Sequence, residues 1–463
     1  MVVRRRWTLV LALVLLQAFT IGAALYVRFT GLPGDESASE AARPAPSRTP
    51  VPLITAAPVL ATETGATAPD AKALTARLKG PLGSSALGGR VGAMVIDAAS
   101  GTTLFSSRAT TGLTPASTTK VVTAVAALIT LGPDATLTTR VVRGTAEDSI
   151  ILVGGGDPTL AGPKATGRGY PRPASLGTLA ARTARALKAA GVTKVTLRYD
   201  DSLFSGPRVA DGWKPNYVPE GTVAPVTALM HDVGKVDPRT RQRWPDPSRA
   251  TAVTFAALLK RHGVTVAPGT REGKAGESAQ ELARVESPPV YQLVERMLTD
   301  SDNDLAEALA HHVALKQGLR GTFADGAKAS LRVLRDLNAH EGVRLSDGSG
   351  LSIANRITPR ALARLLAIAA SPEYPQLHTV ISGLPVAGFT GTLDDRYDRK
   401  ESEPGAGLVR AKTGTLNGVN TLAGVARTSD GRLLTFAFMA DRVPAPDPAV
   451  AALDRLATIV STS

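Results

Sequence analysis

The sequence predicts an α+β fold: one antiparallel sheet with a helical block packed on it, an inserted module of mostly β character, and a single transmembrane helix in front. Three observations lead there. Strand-like segments occur near the beginning, over the alternating Val91 to Ser107, and again at the end in "GLVRAKTG", "VNTLAGVAR" and "RLLTFAFMAD". Helical apolar spacing fills the stretch from Pro289 to Ile368. An apolar run without charged residues extends from Trp7 to Val27.

Taken in chain order, Arg4, Arg5 and Arg6 precede that apolar run, and Arg28 ends it. Its 21 residues, at about 1.5 Å each, reach across a hydrocarbon core of about 30 Å. The three arginines hold the leading end in the cytoplasm and place the rest of the chain outside, so residues 1–28 are expected to form a cytoplasmic tip and membrane anchor. The run is longer than a usual signal-peptide core and no clean Ala-x-Ala site follows it; were it cleaved, the product would be secreted or periplasmic. Residues 29–70, rich in Pro, Ala, Ser and Thr without apolar period, read as a linker with a reach of roughly 30–40 Å.

Ala71 to Lys79 reads as a short helix, and Val91 to Ser107 as a hairpin turning at Ser100-Gly101. Ser117 to Leu131 is an apolar helix stopped by Gly132-Pro133. Over 136–287 the character changes to short β-type runs ("TRVVRG", "SIILVGGGD", "KVTLRYDD") punctuated by Gly and Pro, with helices near Leu176–Ala190 and Val253–His262. This is the expected insertion. Helices follow at Pro289–Thr299, Asp304–Gln317, Gly326–Glu341 and Pro359–Ile368; three strands and a helix from Pro448 to about Ile459 close the chain. Residues 71–135 and 288–463 would then form one domain around the inserted 136–287.

Composition narrows the chemistry. Of 463 residues, 53 are Lys or Arg and 40 Asp or Glu, a net charge of +13 that favours anionic lipid, polyanionic wall polymer or nucleic acid nearby. Aromatic residues make up 4% and do not interleave with basic ones, which argues against nucleic acid as a partner. With no cysteine there is neither thiol catalysis nor Cys-ligated metal. His231, His262, His311, His312, His340 and His378 include no His-Glu-x-x-His, and neither metal nor cofactor is expected.

Three short motifs remain. Ser117 and Lys120 in "TPASTTKVVTA" stand one helical turn apart; a partly desolvated ammonium there loses its proton readily and accepts one from the hydroxyl. A serine before an apolar helix is equally a cap. Ser301-Asp302-Asn303 precedes a helix, with Ser301-x-x-Asp304 an acceptable cap, or with Ser301 and Asn303 reaching into one cleft while Asp302 points away. Lys412, Thr413, Gly414 and Thr415 lie in an alternating run: a solvated strand, or a place where Gly414 lets a ligand backbone lie along the strand and Lys412 with Thr413 or Thr415 holds a carboxylate. Together and in this order, Ser-x-x-Lys, Ser-Asp-Asn and Lys-Thr-Gly are the signature of penicillin-binding proteins and class A β-lactamases. That combination decides for the nucleophile.

From about Ala71 onward the chain resembles the low-molecular-mass class C penicillin-binding proteins, the penicillin-binding protein 4-like D-alanyl-D-alanine carboxypeptidases/endopeptidases. "LVGGGDPTL" (Leu152 to Leu160) and "LSDGSGLSIANRITP" (Leu345 to Pro359) resemble further blocks of that family, and the long interval between Ser117 and Ser301 fits its inserted module. The resemblance implies a serine β-lactamase/penicillin-binding transpeptidase-like fold and a peptidoglycan stem peptide ending in D-Ala-D-Ala as substrate. It implies that Ser117 attacks the carbonyl between the two D-alanines, Lys120 is its base, Ser301 relays a proton to the leaving amine, and Asn303 holds the substrate amide. Lys412, Thr413 and Thr415 would bind the terminal carboxylate, the N–H groups of Ser117 and Thr415 would form the oxyanion hole, and β-lactams would acylate Ser117.

Two features depart from the pattern: the 184-residue interval between Ser117 and Ser301 is shorter than the family's usual two-module insertion, which implies one inserted domain, and Ile353 replaces a family residue. Ile353 stands where relatives place an arginine that meets the distal end of the stem peptide, which removes that contact to a diaminopimelate side chain. Asp200 in "YDDSLF" resembles an acidic residue presented to the same side chain, or is a strand-end turn residue. A β-lactamase or esterase would share the acylation machinery but needs rapid deacylation, for which no glutamate motif is found; a non-catalytic wall-binding or penicillin-sensing protein would have no need of all three motifs.

Overall fold

A computed structural model describes residues 67–165 and 170–463. The expected span at Trp7 to Val27 and most of the linker lie outside the described residues, among which no helix is long and apolar enough to cross a membrane.

The sheet anticipated from the two ends of the chain is there. Strands β1 (Arg90–Asp97) and β2 (Thr103–Ser107) pair with β9 (Val409–Leu416), β10 (Val419–Arg427) and β11 (Leu433–Asp441) in the order β2-β1-β11-β10-β9, all antiparallel. Strand β11 reads as a continuous apolar run because both of its faces are covered. Phe436 and Phe438 face one side with Leu74 and Leu78 of α1 (Ala71–Leu82) and Leu453 and Leu456 of the last helix, α10 (Pro446–Ser461). Ala437 and Met439 face the other, against Leu362 and Leu366 of α8 (Pro359–Ala370).

Helix α2 (Thr119–Leu131) is the hub of the helical block, buried on every side from Thr119 to Leu128. Around it pack α5 (Val290–Thr299), α6 (Asn303–Lys316), α7 (Phe323–Asp336) and the short α9 (His378–Ser382). It stops at Gly132, where φ is +88° and Pro133 follows. Helix α7 begins three residues earlier than the apolar period suggests, because Thr322 caps it through Asp325 N at 3.1 Å.

A second sheet, from residues 138–286, contains β3 (Thr138–Arg143), β4 (Ser149–Val153), β5 (Lys194–Asp200), β6 (Thr265–Val266), β7 (Arg271–Glu272) and β8 (Glu281–Glu286). The expectation of a mostly β segment is corrected here. β4, β5, β6 and β7 run parallel, and the 14-residue α3 (Leu176–Ala189) and 15-residue α4 (Pro247–Arg261) cover one face. The two helices expected near Leu176–Ala190 and Val253–His262 are the crossover connections that parallel pairing requires, and the short β runs by themselves do not show which strands pair in parallel.

Candidate active site

Ser117 lies in a single 3₁₀ turn, Ala116–Thr118, that leads into α2. No side chain caps this helix start, so the capping reading of Ser117 is set aside. The Ser117 N–H belongs to the leading turn of a helical segment, where donors have no intrahelical acceptor. The turn is tight: Ala116 adopts a left-handed φ of +48° while fully buried, a conformation costing on the order of 1 kcal/mol. Two glycines make it possible. A Cβ on Gly350, whose φ is +88°, would stand 1.9 Å from Ala116 O, and one on Gly414 would stand 2.2 Å from Thr421 Oγ1 and 2.7 Å from Pro115 O. Gly414 therefore makes room for the nucleophile turn, not for a ligand backbone as its place in the strand had suggested.

Lys120, fully buried one turn on, makes three hydrogen bonds through Nζ: to Ser117 Oγ at 3.1 Å, Asn303 Oδ1 at 2.7 Å and the Ser349 carbonyl at 2.8 Å. Burial lowers its pKa from 10.5 to about 8, against the opposing pull of Glu307 and Asp347.

Asn303 opens α6, but the residue that caps the helix is Asp302, which accepts from Leu305 N at 3.0 Å and pairs with Arg296 at 3.3 Å. The alternative of a Ser301-x-x-Asp304 cap is thereby corrected, and Asp302 does point away from the cleft. Ser301 is the left-handed corner before the helix, φ +56°, and its hydroxyl has no hydrogen-bond partner among the described residues. The Asn303 amide bridges two walls, accepting from Lys120 and donating to Thr222 O at 2.9 Å. One amide hydrogen is left for a substrate. Asp304, on the far side of the helix, accepts from Ala224 N at 2.7 Å and pairs with Arg243 at 3.1 Å, which ties the loop carrying Thr222 to the start of α6.

Strand β9 is the edge of its sheet. Ala411 N donates outward to Pro385 O and Ala387 N to Val409 O, so residues 409 and 411 present their backbone groups away from β10, and by the period of two so do Thr413 and Thr415. Segment 385–387 covers the first half of this edge. The other half, at Thr415, borders a cleft of about 440 Å³ lined by Tyr217, Thr222, Leu351, Thr415, Leu416 and Asn420. An extended peptide can add there as a further strand, with the Thr415 N–H directed at it. Thr415 is exposed, and its Oγ1 accepts from Asn420 Nδ2 at 3.3 Å; Thr413 Oγ1 is 2.8 Å from Thr392 Oγ1. Lys412 is fully buried with Nζ on Thr413 O at 3.1 Å, and burial, with Lys120 and Arg396 nearby, holds its pKa well below the ordinary value.

Two carboxylates of this site escaped sequence reasoning. Asp347 gathers Gly350 N (2.9 Å), Ser352 N (2.7 Å), Asn355 Nδ2 (2.6 Å) and Trp213 Nε1 (2.7 Å), which winds "DGSGLSIAN" around it. Glu307, on α6, accepts from Gly348 N at 2.9 Å and Ser349 N at 2.8 Å; burial, with Asp347 adding to it, pushes its carboxyl pKa upward. Together they aim the Ser349 carbonyl at Lys120. The Asp-Gly-Ser-Gly run, inside the block from Leu345 to Pro359 that resembles the family, was the available signal.

Asp200 is not brought to this group. Its two oxygens accept from Ser202 N at 2.9 Å and Ala275 N at 2.8 Å, which makes it the strand-end turn residue. Ile353 stands exposed on the loop, its N–H on Gly212 O at 3.3 Å.

The profile of the D-Ala-D-Ala carboxypeptidase 3 (S13) family matches residues 74–247 and 242–460. The chain belongs to this family. Among S13-like relatives, a carboxypeptidase of Mycobacterium tuberculosis is 37% identical over 407 residues, covering 86% of each chain. The carboxypeptidase DacB of Mycolicibacterium smegmatis is 35% identical over 460 residues, 97% of this chain and 95% of that one. Penicillin-binding protein 4 of Haemophilus influenzae shares the fold, with a TM-score of 0.67 at 22% identity over 84% of this chain and 98% of that structure. The S13 chain thus has the penicillin-binding α+β fold.

Proposed function

We propose that this protein is a serine D-alanyl-D-alanine carboxypeptidase that trims peptidoglycan stem peptides through an acyl-enzyme on Ser117. The observation that carries the reading is the set of partners on Lys120 Nζ. Asn303 Oδ1 and the Ser349 carbonyl can only accept, so in the neutral amine the two N–H bonds stay on them and the lone pair is left facing Ser117 Oγ. With a pKa of about 8, about a tenth of the molecules hold the amine in that form at pH 7.

Ser117 Oγ then attacks the carbonyl carbon between the two D-alanines while its proton passes to Lys120 Nζ. The carbonyl oxygen takes the negative charge and meets the N–H groups of Ser117 and Thr415. Collapse breaks the C–N bond, the leaving nitrogen takes a proton by way of the Ser301 hydroxyl, and D-alanine departs with its carboxylate on Lys412, Thr413 and Thr415. Water attacks the ester carbonyl while giving a proton to Lys120, and as the C–Oγ bond breaks Lys120 returns that proton to Ser117 Oγ. The free hydrogen of the Asn303 amide and the open edge of β9 support this placement of the peptide. β-Lactams enter the same path, because their strained amide presents the same carbonyl to Ser117.

Around this chemistry, we read residues 71–135 and 288–463 as the catalytic domain, 136–287 as its insertion, and 1–28 as an anchor that leaves the enzyme outside the cell membrane on the 29–70 linker. The basis is the charge and apolar length of the first 28 residues.

Labelled penicillin, followed by a peptide ending in D-Ala-D-Ala, tests the proposal. A long-lived label on Ser117 with release of D-alanine is expected. A label that turns over within seconds without peptide cleavage identifies a β-lactamase, and the absence of any label rules out the acyl-enzyme.

A further inference from the structure

A cleft of about 750 Å³ lies on the second sheet and has no part in the chemistry at Ser117. Strand β5 sends Val195, Leu197 and Tyr199 into the core under α3 and α4, which leaves Lys194, Thr196 and Arg198 exposed on the opposite face. Residues 273–280 join β7 at one edge of the sheet to β8 at the other. This strap is tied at both ends: Gly273 N donates to Tyr199 O and Ala275 N to Asp200 Oδ2, while Gln280 O accepts from Arg143 N. Between strap and sheet runs the cleft, lined by Arg143, Arg198, Arg271 and Lys274 with Asp148 as the one carboxylate. Arg198, Arg271 and Lys274 are exposed and in no salt bridge among the described residues.

We propose that this strapped cleft binds an acyclic polyol-phosphate chain, holding two or more of its phosphodiester groups. Four cations around one cleft match more than one anionic group, and guanidinium forks suit phosphate oxygens. No aromatic ring lines the cleft, so neither nucleobases nor sugar rings find a stacking platform. Thr145, Thr196 and Ser278 offer hydroxyls for a polyol linker. Binding there would hold the enzyme against an anionic polymer independently of the Ser117 reaction.

The test uses the full chain in detergent micelles and a fluorescent glycerol-phosphate hexamer, read by anisotropy at low ionic strength. Arg198→Glu with Lys274→Glu should weaken binding about 10- to 100-fold and flatten its salt dependence, with penicillin acylation of Ser117 unchanged. Arg185→Glu with Arg261→Glu, the same charge change on α3 and α4 outside the cleft, should have little effect. Equal weakening by both pairs would mean diffuse attraction to a +13 chain and overturn the site. Equal competition by polyglutamate or oligothymidylate of matched charge would overturn the polyol-phosphate assignment, as would no binding at all. If the double Glu variant fails to acylate, Arg198→Gln with Lys274→Gln takes its place with the same expectation.

Discussion

Lys120 Nζ stands 3.1 Å from Ser117 Oγ, and its two remaining hydrogen bonds end on oxygens that cannot donate. The direction of proton transfer is therefore set before any substrate arrives. Lys120→Met keeps the length of the side chain and removes the base, so acylation by penicillin should fall about a thousandfold. Rate constants for labelling, measured on protein with an unchanged circular dichroism spectrum, check this; acylation within tenfold of wild type would refute the assignment of Lys120.

The pH dependence follows from the same amine. Its pKa in the folded chain is about 8, and only the neutral form accepts the proton. Below that pH, acylation should drop about tenfold per unit; above it the rate should level off. Because the folded pKa is depressed from 10.5, the unfolded chain binds the extra proton between the two values, and this residue's contribution to stability rises with pH from about 8 toward 10.5. A second-order rate profile between about pH 5.5 and 9.5 is the measurement.

Gly350 and Gly414 hold the nucleophile turn from two sides. Gly350→Ala places a Cβ 1.9 Å from Ala116 O at a left-handed φ, and Gly414→Ala places one 2.2 Å from Thr421 Oγ1. Each should cost about 2–4 kcal/mol of stability and depress acylation beyond what partial unfolding explains. Gly89→Ala, where a Cβ has nothing within 4 Å, should leave both unchanged. Denaturant melts paired with labelling rates distinguish these outcomes.

Asp347 acts through the loop it organises. Asp347→Ala leaves at least four buried donors unpaired, an expected loss of about 3–5 kcal/mol, and lets the Ser349 carbonyl drift from Lys120. As a positioning residue it should also move the pH midpoint of acylation downward, since its charge raises the Lys120 pKa against the effect of burial, and removing that charge together with a fixed acceptor disfavours the ammonium. A variant with lowered stability and an unmoved midpoint would confine Asp347 to a structural role.

What the sequence alone determined is local or combinatorial. One helical turn puts Ser117 beside Lys120, the period of two marks β9 and short apolar runs mark β10 and β11, and three motifs in order identify the family chemistry. Tertiary structure decided which partner each side chain takes. Asn303 and Ser349 reach Lys120 from 183 and 229 residues away, Gly414 answers to Pro115 across the sheet edge, and Asp200 binds the strap at Ala275 instead of a substrate. Periodicity reports which face of an element is buried, because that depends on near neighbours along the chain. The identity of what covers the face depends on how distant segments close on one another, and no local pattern carries that information.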